Sequence, residues 1–187
     1  MVRVAAFTGS AEGRSEVFRD AVEAFGAHLG KAGIDVVYGG GRVGLMGVLA
    51  DAALAAGGTV IGVMPQFLVD AEVAHTGLSE LIVVESMHER KATMAGLADA
   101  FVALPGGTGT LDELFEVWTW QQLGLHDKPV AVLNPAGFWD PLLAALEHMR
   151  AAGFVRAAYR LLVADDANHF LDLVHSFTPT RSKWTDG

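Results

Sequence analysis

Short apolar runs rich in β-branched residues alternate along this chain with longer stretches whose apolar residues recur every three or four positions. The first pattern suits strands buried on both faces and the second suits amphipathic helices. Strands are predicted at 3–7, 34–38, 59–64, 81–85, 101–104, 130–133 and 161–164. Helices are predicted at 16–32, 45–56, 87–97, 111–124, 139–152 and 170–177, with Gly33 and Gly57 at the positions of helix C-caps. Regular β-α alternation implies a parallel sheet with helices on both faces, so the expected fold is a doubly wound, Rossmann-like α/β domain spanning 1–177. The segment 65–80 is the longest connection without clear periodicity, a length that in a compact domain often serves function. Residues 178–187 read as a flexible C-terminal tail.

Composition narrows the functions open to such a domain. Of 187 residues 51% are hydrophobic, enough for a substantial core. The formal charge of −9, with Lys and Arg scattered, disfavours nucleic acid as a partner. Cysteine is absent and the seven histidines form no H-x-H or H-x-x-x-H pair, so neither a thiolate site nor a helical metal site is expected, and the histidines read as surface or packing residues. The N-terminus turns to glycine and charge too early for a signal segment, and the uncharged run 52–69 is broken by Gly57, Gly58 and Pro65. A cytoplasmic protein with no membrane partner is the expectation.

In a doubly wound sheet, ligands bind outside the carboxyl ends of the strands. Three of the six segments that follow the predicted strands there are rich in glycine, which ordinary turn chemistry explains poorly. "TGSAEGRS" brings Gly9 and Ser10, "YGGGRVGLMG" brings Gly41, and "PGGTGTLDE" brings Gly106, Gly107, Thr108, Gly109, Thr110, Leu111, Asp112 and Glu113. The second contains G-x-G-x-x-G, but no acidic residue ends the next strand to hold a nicotinamide ribose; tight helix packing and contact with another nucleotide both remain open. The third lacks the Lys-Ser/Thr of a triphosphate loop. A capping box would account for Thr110 and Glu113 but not for the open glycine backbone, whereas successive N–H groups at a helix N-terminus suit a phosphate.

On the following helix Glu113, Glu116 and Trp120 share one face, opposite Leu111, Leu114, Phe115 and Trp118. A solvated acidic face is one reading. A pair of carboxylates within reach of a sugar attached to the phosphate is the other. Arg90 and Lys91 stand in the first turns of their helix, where cations oppose the dipole, a placement that makes sense beside an anion or a carboxylate.

The stretch 87–134, beginning "MHERKATMAGLADAFVALPGGTGTLDELFE", together with "YGGGRVGLMG", resembles the LONELY GUY (LOG) family of cytokinin riboside 5′-monophosphate phosphoribohydrolases, also described as lysine decarboxylases. The likeness runs from Val4 to about His175. It implies hydrolysis of the N-glycosidic bond of an N6-modified adenosine 5′-monophosphate, giving free base and ribose 5-phosphate without a cofactor. It implies Arg90 and Glu113 as catalytic residues. Nucleotide contacts are implied at Glu72, Lys91, the run from Gly107 to Asp112, and Thr119. Two positions depart from the family pattern: Thr108, where many members carry Tyr, and Asp112, commonly Glu. Two other classes compete. A non-catalytic nucleotide or cofactor carrier would keep the phosphate loop without needing both Arg90 and Glu113, and a decarboxylase would need a Schiff-base lysine, for which Lys91 is the only rim candidate. Trp118 and Trp120 lie about 200° apart on their helix. Together with Met94 they suggest a surface shared with a second copy, and short LOG-like chains resemble the dimeric members, so a homodimer is expected.

Overall fold

The computed structural model describes residues 3–71, 73–156 and 158–179. Its seven strands, β1 (Arg3–Phe7), β2 (Asp35–Tyr38), β3 (Val60–Pro65), β4 (Glu80–Val84), β5 (Ala100–Ala103), β6 (Val130–Leu133) and β7 (Leu162–Ala164), form one all-parallel sheet in the order β4-β3-β2-β1-β5-β6-β7. The helices are α1 (Glu16–Lys31), α2 (Gly44–Ala55), α3 (Gln66–Asp70), α4 (Met87–Leu97), α5 (Thr108–Leu123), α6 (Asp140–Ala151) and α7 (Ala167–Ser176). This is the doubly wound class that the alternation predicts. The short α3 and a 3-10 turn at Pro135–Gly137 carry too few residues to declare a period, and they were not expected. Of the expected tail, only residues 178 and 179 are among those described.

Strand period sorts the core into two layers. Val4 and Ala6 of β1, Val36 and Tyr38 of β2, and Val102 of β5 face α1, α2 and α7, where Phe25, Leu49 and Phe170 meet them. Ala5, Phe7, Val37, Phe101 and Ala103 face α4, α5 and α6, against Met94, Leu114, Trp118 and Leu146. Met94 and Trp118 are therefore buried inside the chain's own core, and Trp120 is half-buried against the same layer, which removes the paired tryptophans as an argument for a partner surface.

The chain winds outward from β1 to β4, and α4 then carries it back to β5 on the other side of β1. The order reverses between β1 and β5, and a crevice opens at their carboxyl ends. There the Thr8 hydroxyl and the Gly9 N–H both donate to the Pro105 carbonyl, at 2.9 and 3.1 Å, tying the first rim loop to the loop before α5.

Close approach of α1 to α2 fixes the opposite layer. A Cβ on Gly30 would lie 2.5 Å from the Ala53 carbonyl oxygen, and one on Gly26 would lie 2.6 Å from that of Leu49. Backbone cannot yield as a flexible side chain does. Gly30→Val should therefore destabilise the chain by about 2–3 kcal/mol through overpacking, read as a lower urea midpoint at unchanged slope.

Candidate active site

The crevice is a cavity of about 440 Å³, bounded by Thr8, Gly9 and Ser10 after β1, by Gly39 and Gly41 after β2, and by the start of α5. Helix α5 begins earlier than its apolar period suggested: Gly107 is its N-cap and Thr108 its first residue. Thr110 thus lies inside the first turn and caps nothing, which overturns the capping-box reading of this loop. A side-chain cap stands at α4 instead, where Ser86 accepts from Glu89 N–H at 3.1 Å, and the Glu89 carboxylate reaches back past the cap to accept from Glu85 N–H at 2.8 Å.

The glycines before and in the first turn of α5 divide into two kinds. Gly106 is required by packing, since a Cβ there would meet Thr110 Oγ1 at 2.0 Å and Gly9 N at 2.9 Å. Gly107 and Gly109 have open space where a Cβ would stand, so their backbone is presented bare to the cavity. The first N–H groups of a helix lack intrahelical partners, and the dipole adds positive potential. Thr110 Oγ1, on a residue only 2% exposed, also has no hydrogen-bond partner in the structure. Unspent donors converge here, which is what an anionic group would use.

Arg90 projects from α4 into the cavity and is 9% exposed. Its Nε donates to the Val63 carbonyl at 3.0 Å and its Nη2 to the Gly39 carbonyl at 3.2 Å, which leaves Nη1 3.5 Å from Glu113 Oε1. Burial pushes the Glu113 carboxyl up to about 7, against the pull of Arg90, with Asp112 and Glu116 adding to the rise and Lys91 opposing it. A carboxyl poised near neutrality in a cleft, beside one specific cation, is a candidate for chemistry.

The remaining expected residues separate. Gly9, Ser10, Gly41, Arg90, Gly107, Thr108, Gly109, Thr110, Asp112 and Glu113 all line this cavity. Gly106 borders a neighbouring hollow on the far side of Gly9, and Leu111 turns toward the core. Lys91 and Glu116 lie beside the cavity, with Lys91 Nζ held by Asp112 at 3.1 Å and Glu116 at 3.0 Å. Burial works against the Lys91 charge, but the two carboxylates outweigh it and hold its pKa above the ordinary value. Thr119 is exposed on α5, away from this chain's cavity, and Glu72 lies outside the described residues.

Sequence reading left Gly39, in its G-x-G-x-x-G, open between packing and nucleotide contact, and it missed Thr8 and an apolar wall that includes Met46, Met64, Leu68, Val73 and Met87. Three of the chain's six methionines meet in that wall, a flexible surface able to follow an irregular apolar group. Their positions, at the end of β3 and at the starts of the helices after β2 and β4, were the available signal. Several histidines also have definite partners: His75 Nε2 lies 2.9 Å from Asp51, and His126 Nε2 lies 2.9 Å from the Val117 carbonyl oxygen. Among the described residues no His, Asp and Glu cluster could hold a metal ion, and no helix is long and apolar enough to cross a membrane.

Residues 46–174 match the family model described as "Possible lysine decarboxylase". Over 178 residues the chain is 46% identical to a probable cytokinin riboside 5′-monophosphate phosphoribohydrolase, LOGL1, of Oryza sativa subsp. japonica, covering 94% of this chain and 80% of the relative. Over 158 residues it is 51% identical to the cytokinin riboside 5′-monophosphate phosphoribohydrolase of Rhodococcoides fascians, covering 84% and 80%. The fold is shared more widely: the molybdenum cofactor binding protein of Rippkaea orientalis superposes with a TM-score of 0.71 at 20% identity, over 94% of this chain and 97% of that one. Sequence likeness at this level and extent places the chain in the LONELY GUY family of cytokinin riboside 5′-monophosphate phosphoribohydrolases.

Proposed function

We propose that the chain hydrolyses the N-glycosidic bond of N6-modified adenosine 5′-monophosphates, releasing the free base and ribose 5-phosphate. The observation that carries this reading is Glu113: a nearly buried carboxylate facing Arg90, between one and two turns beyond a helix N-terminus whose donors are unspent. The phosphate would sit on the turn from Gly107 to Thr110, and the apolar wall would take the base with its N6 group. As the bond from C1′ to the base nitrogen breaks, positive charge grows on C1′ and the ring oxygen, and the Glu113 carboxylate stabilises it. Water then bonds to C1′, one of its protons is lost, and the departing base takes up a proton. Binding of the distant phosphate holds C1′ against Glu113, so its energy is spent on the reaction as well as on affinity.

The decarboxylase description fares poorly against the same geometry. A Schiff-base lysine must be a free, neutral amine, whereas Lys91 Nζ is locked between two carboxylates that keep it charged. Among the described residues no lysine lines the cavity, so a pyridoxal phosphate has no attachment point there.

Incubation with AMP, N6-prenylated AMP and adenosine tests the reading, scored by free base and ribose 5-phosphate. Both nucleotides should be cleaved and adenosine far more slowly; equal rates on adenosine and AMP would overturn the phosphate assignment. Glu113→Gln should lower kcat by about 10²–10³ while keeping most nucleotide affinity. Retention of the parental rate by that variant would remove Glu113 from the chemistry.

The working form of Glu113 is the carboxylate, so kcat/KM should rise with pH through about 7, and the rise should be missing from the residual activity of Glu113→Gln. Stability should move the other way. A carboxyl raised in the folded state from 4.5 to about 7 contributes stability that is full below 4.5 and is lost as pH climbs to 7. Urea unfolding at pH 4.5 and pH 8 should show the parent losing ground relative to Glu113→Gln over that window.

We also propose that the chain works as a homodimer. Phe67, Val83 and Met87 are 56%, 45% and 37% exposed; Phe67 and Met87 belong to α3 and α4, which supply part of the cavity's apolar wall, and Val83 lies on the edge strand β4, which pairs with β3. A second copy seated there would cover them and close that wall. Light scattering should report twice the chain mass at micromolar concentration; a fully active monomer would refute the dimer.

A further inference from the structure

The three glycines after β2 stand in a position where nucleotide contact and packing are both plausible roles. The structure gives each a different task. Gly40 takes a left-handed backbone, at φ +78°, and a Cβ on Gly41 would meet the Met46 Cε at 2.8 Å. At Gly39 the neighbour is Arg90 itself: a Cβ would lie 1.8 Å from Nη2 and 2.9 Å from Cζ. The same residue supplies the carbonyl that accepts from Nη2. Gly39 thus makes both the room and the acceptor for one edge of the guanidinium.

We infer that the turn from Tyr38 to Gly41 is a clamp for Arg90, with Gly39 and Tyr38 as positioning residues that act on the reaction through the arginine. The inference rests on the catalytic reading of Arg90 and Glu113. Tyr38 is fully buried, and its hydroxyl donates to the Gly41 carbonyl at 3.1 Å, closing the turn on itself. The turn is fastened from the other side by His75 N–H on the Gly40 carbonyl, at 2.9 Å, and by Arg42 N–H on the Val73 carbonyl, at 3.0 Å. A turn held at both ends cannot reorient its Gly39 carbonyl. With Val63 holding Nε from β3, the planar fork has two of its edges taken by neutral acceptors, and Nη1 is left to face Glu113. Neutral acceptors matter here. A second carboxylate would satisfy Arg90 and weaken its pull on Glu113, whereas carbonyl dipoles orient the cation and leave its charge uncompensated.

Gly39→Ala isolates the effect. The backbone of Gly39 needs no positive φ, and the atoms in the way are the far end of a flexible side chain, so the fold should accept the methyl group while the guanidinium moves. Steady-state kinetics on N6-prenylated AMP should show kcat falling roughly tenfold or more, with KM altered far less, at an unchanged melting temperature. Against an Arg90→Ala background the same change should cost nothing further, since its target is gone. Tyr38→Phe should give a smaller loss of the same kind.

A second readout needs no turnover. The charged groups around Glu113 are Arg90, Asp112, Lys91 and Glu116, and Arg90 is the strongest that favours its carboxylate. In Gly39→Ala the Glu113 carboxyl, followed by carbon-13 NMR, should titrate at higher pH than in the parent. An unmoved titration, or a loss in kcat that multiplies in full with that of Arg90→Ala, would overturn the clamp. Failure of the parent to cleave any nucleotide would instead overturn the proposed activity, and the NMR comparison would still decide whether Gly39 places Arg90.

Discussion

A buried guanidinium and a nearly buried carboxylate, 3.5 Å apart, are the constraint around which this rim is built. Taking two charges out of water is costly unless their remaining hydrogen-bonding groups are satisfied. Arg90 is satisfied by two carbonyls near the carboxyl ends of strands, from Val63 in the second half of β3 and from Gly39 just past β2. Among the described residues Glu113 has no such supply, and its burial makes it reluctant to ionise, which leaves it responsive to whatever charge enters the cavity. A substrate that develops positive charge would complete what Arg90 only begins.

The topology explains why this pair stands beside the N-terminus of α5. Reversal of strand order between β1 and β5 leaves a gap that no crossover helix fills, and α5 starts at its edge with its N-terminus pointing in. Helix α4, which makes the return crossing, brings Arg90 to the same edge from the other direction. The open N–H groups at the start of α5 and the charged pair therefore come from consecutive βα units. Lys91, one residue after Arg90, links the two helices through Asp112 and Glu116 and so braces the Arg90–Glu113 pair from outside the cavity.

Much of this was legible in order along the chain. Strand and helix alternation follows from hydrophobic period, and all seven strands and six of the helices fall where that period puts them to within a few residues. The glycine turn before α5, and the pairing of Arg90 with Glu113, could be anticipated from residue type and from family likeness. Period could not locate the start of α5, because Thr108, Gly109 and Thr110 are poor helix formers that the anion-ready turn recruits into the helix. Nor could it find α3, whose five residues span little more than one turn. The helical period sets Trp118 and Trp120 too far apart on α5 for one core to cover, yet Trp118 is buried and Trp120 half-buried against the same layer, because a large indole reaches around the helix further than its angular position suggests.

What the sequence determined by itself was the class of sheet, the rim on which chemistry would sit and the residue types available there, since these depend on local periodicity and on the stereochemistry of glycine and helix ends. Tertiary structure decided which glycine served which purpose, which carboxylate was buried and which carbonyls held Arg90. Those outcomes depend on distances between segments far apart in the chain, Gly39 to Arg90 across 51 residues and Val63 to Arg90 across 27, and no local pattern encodes them.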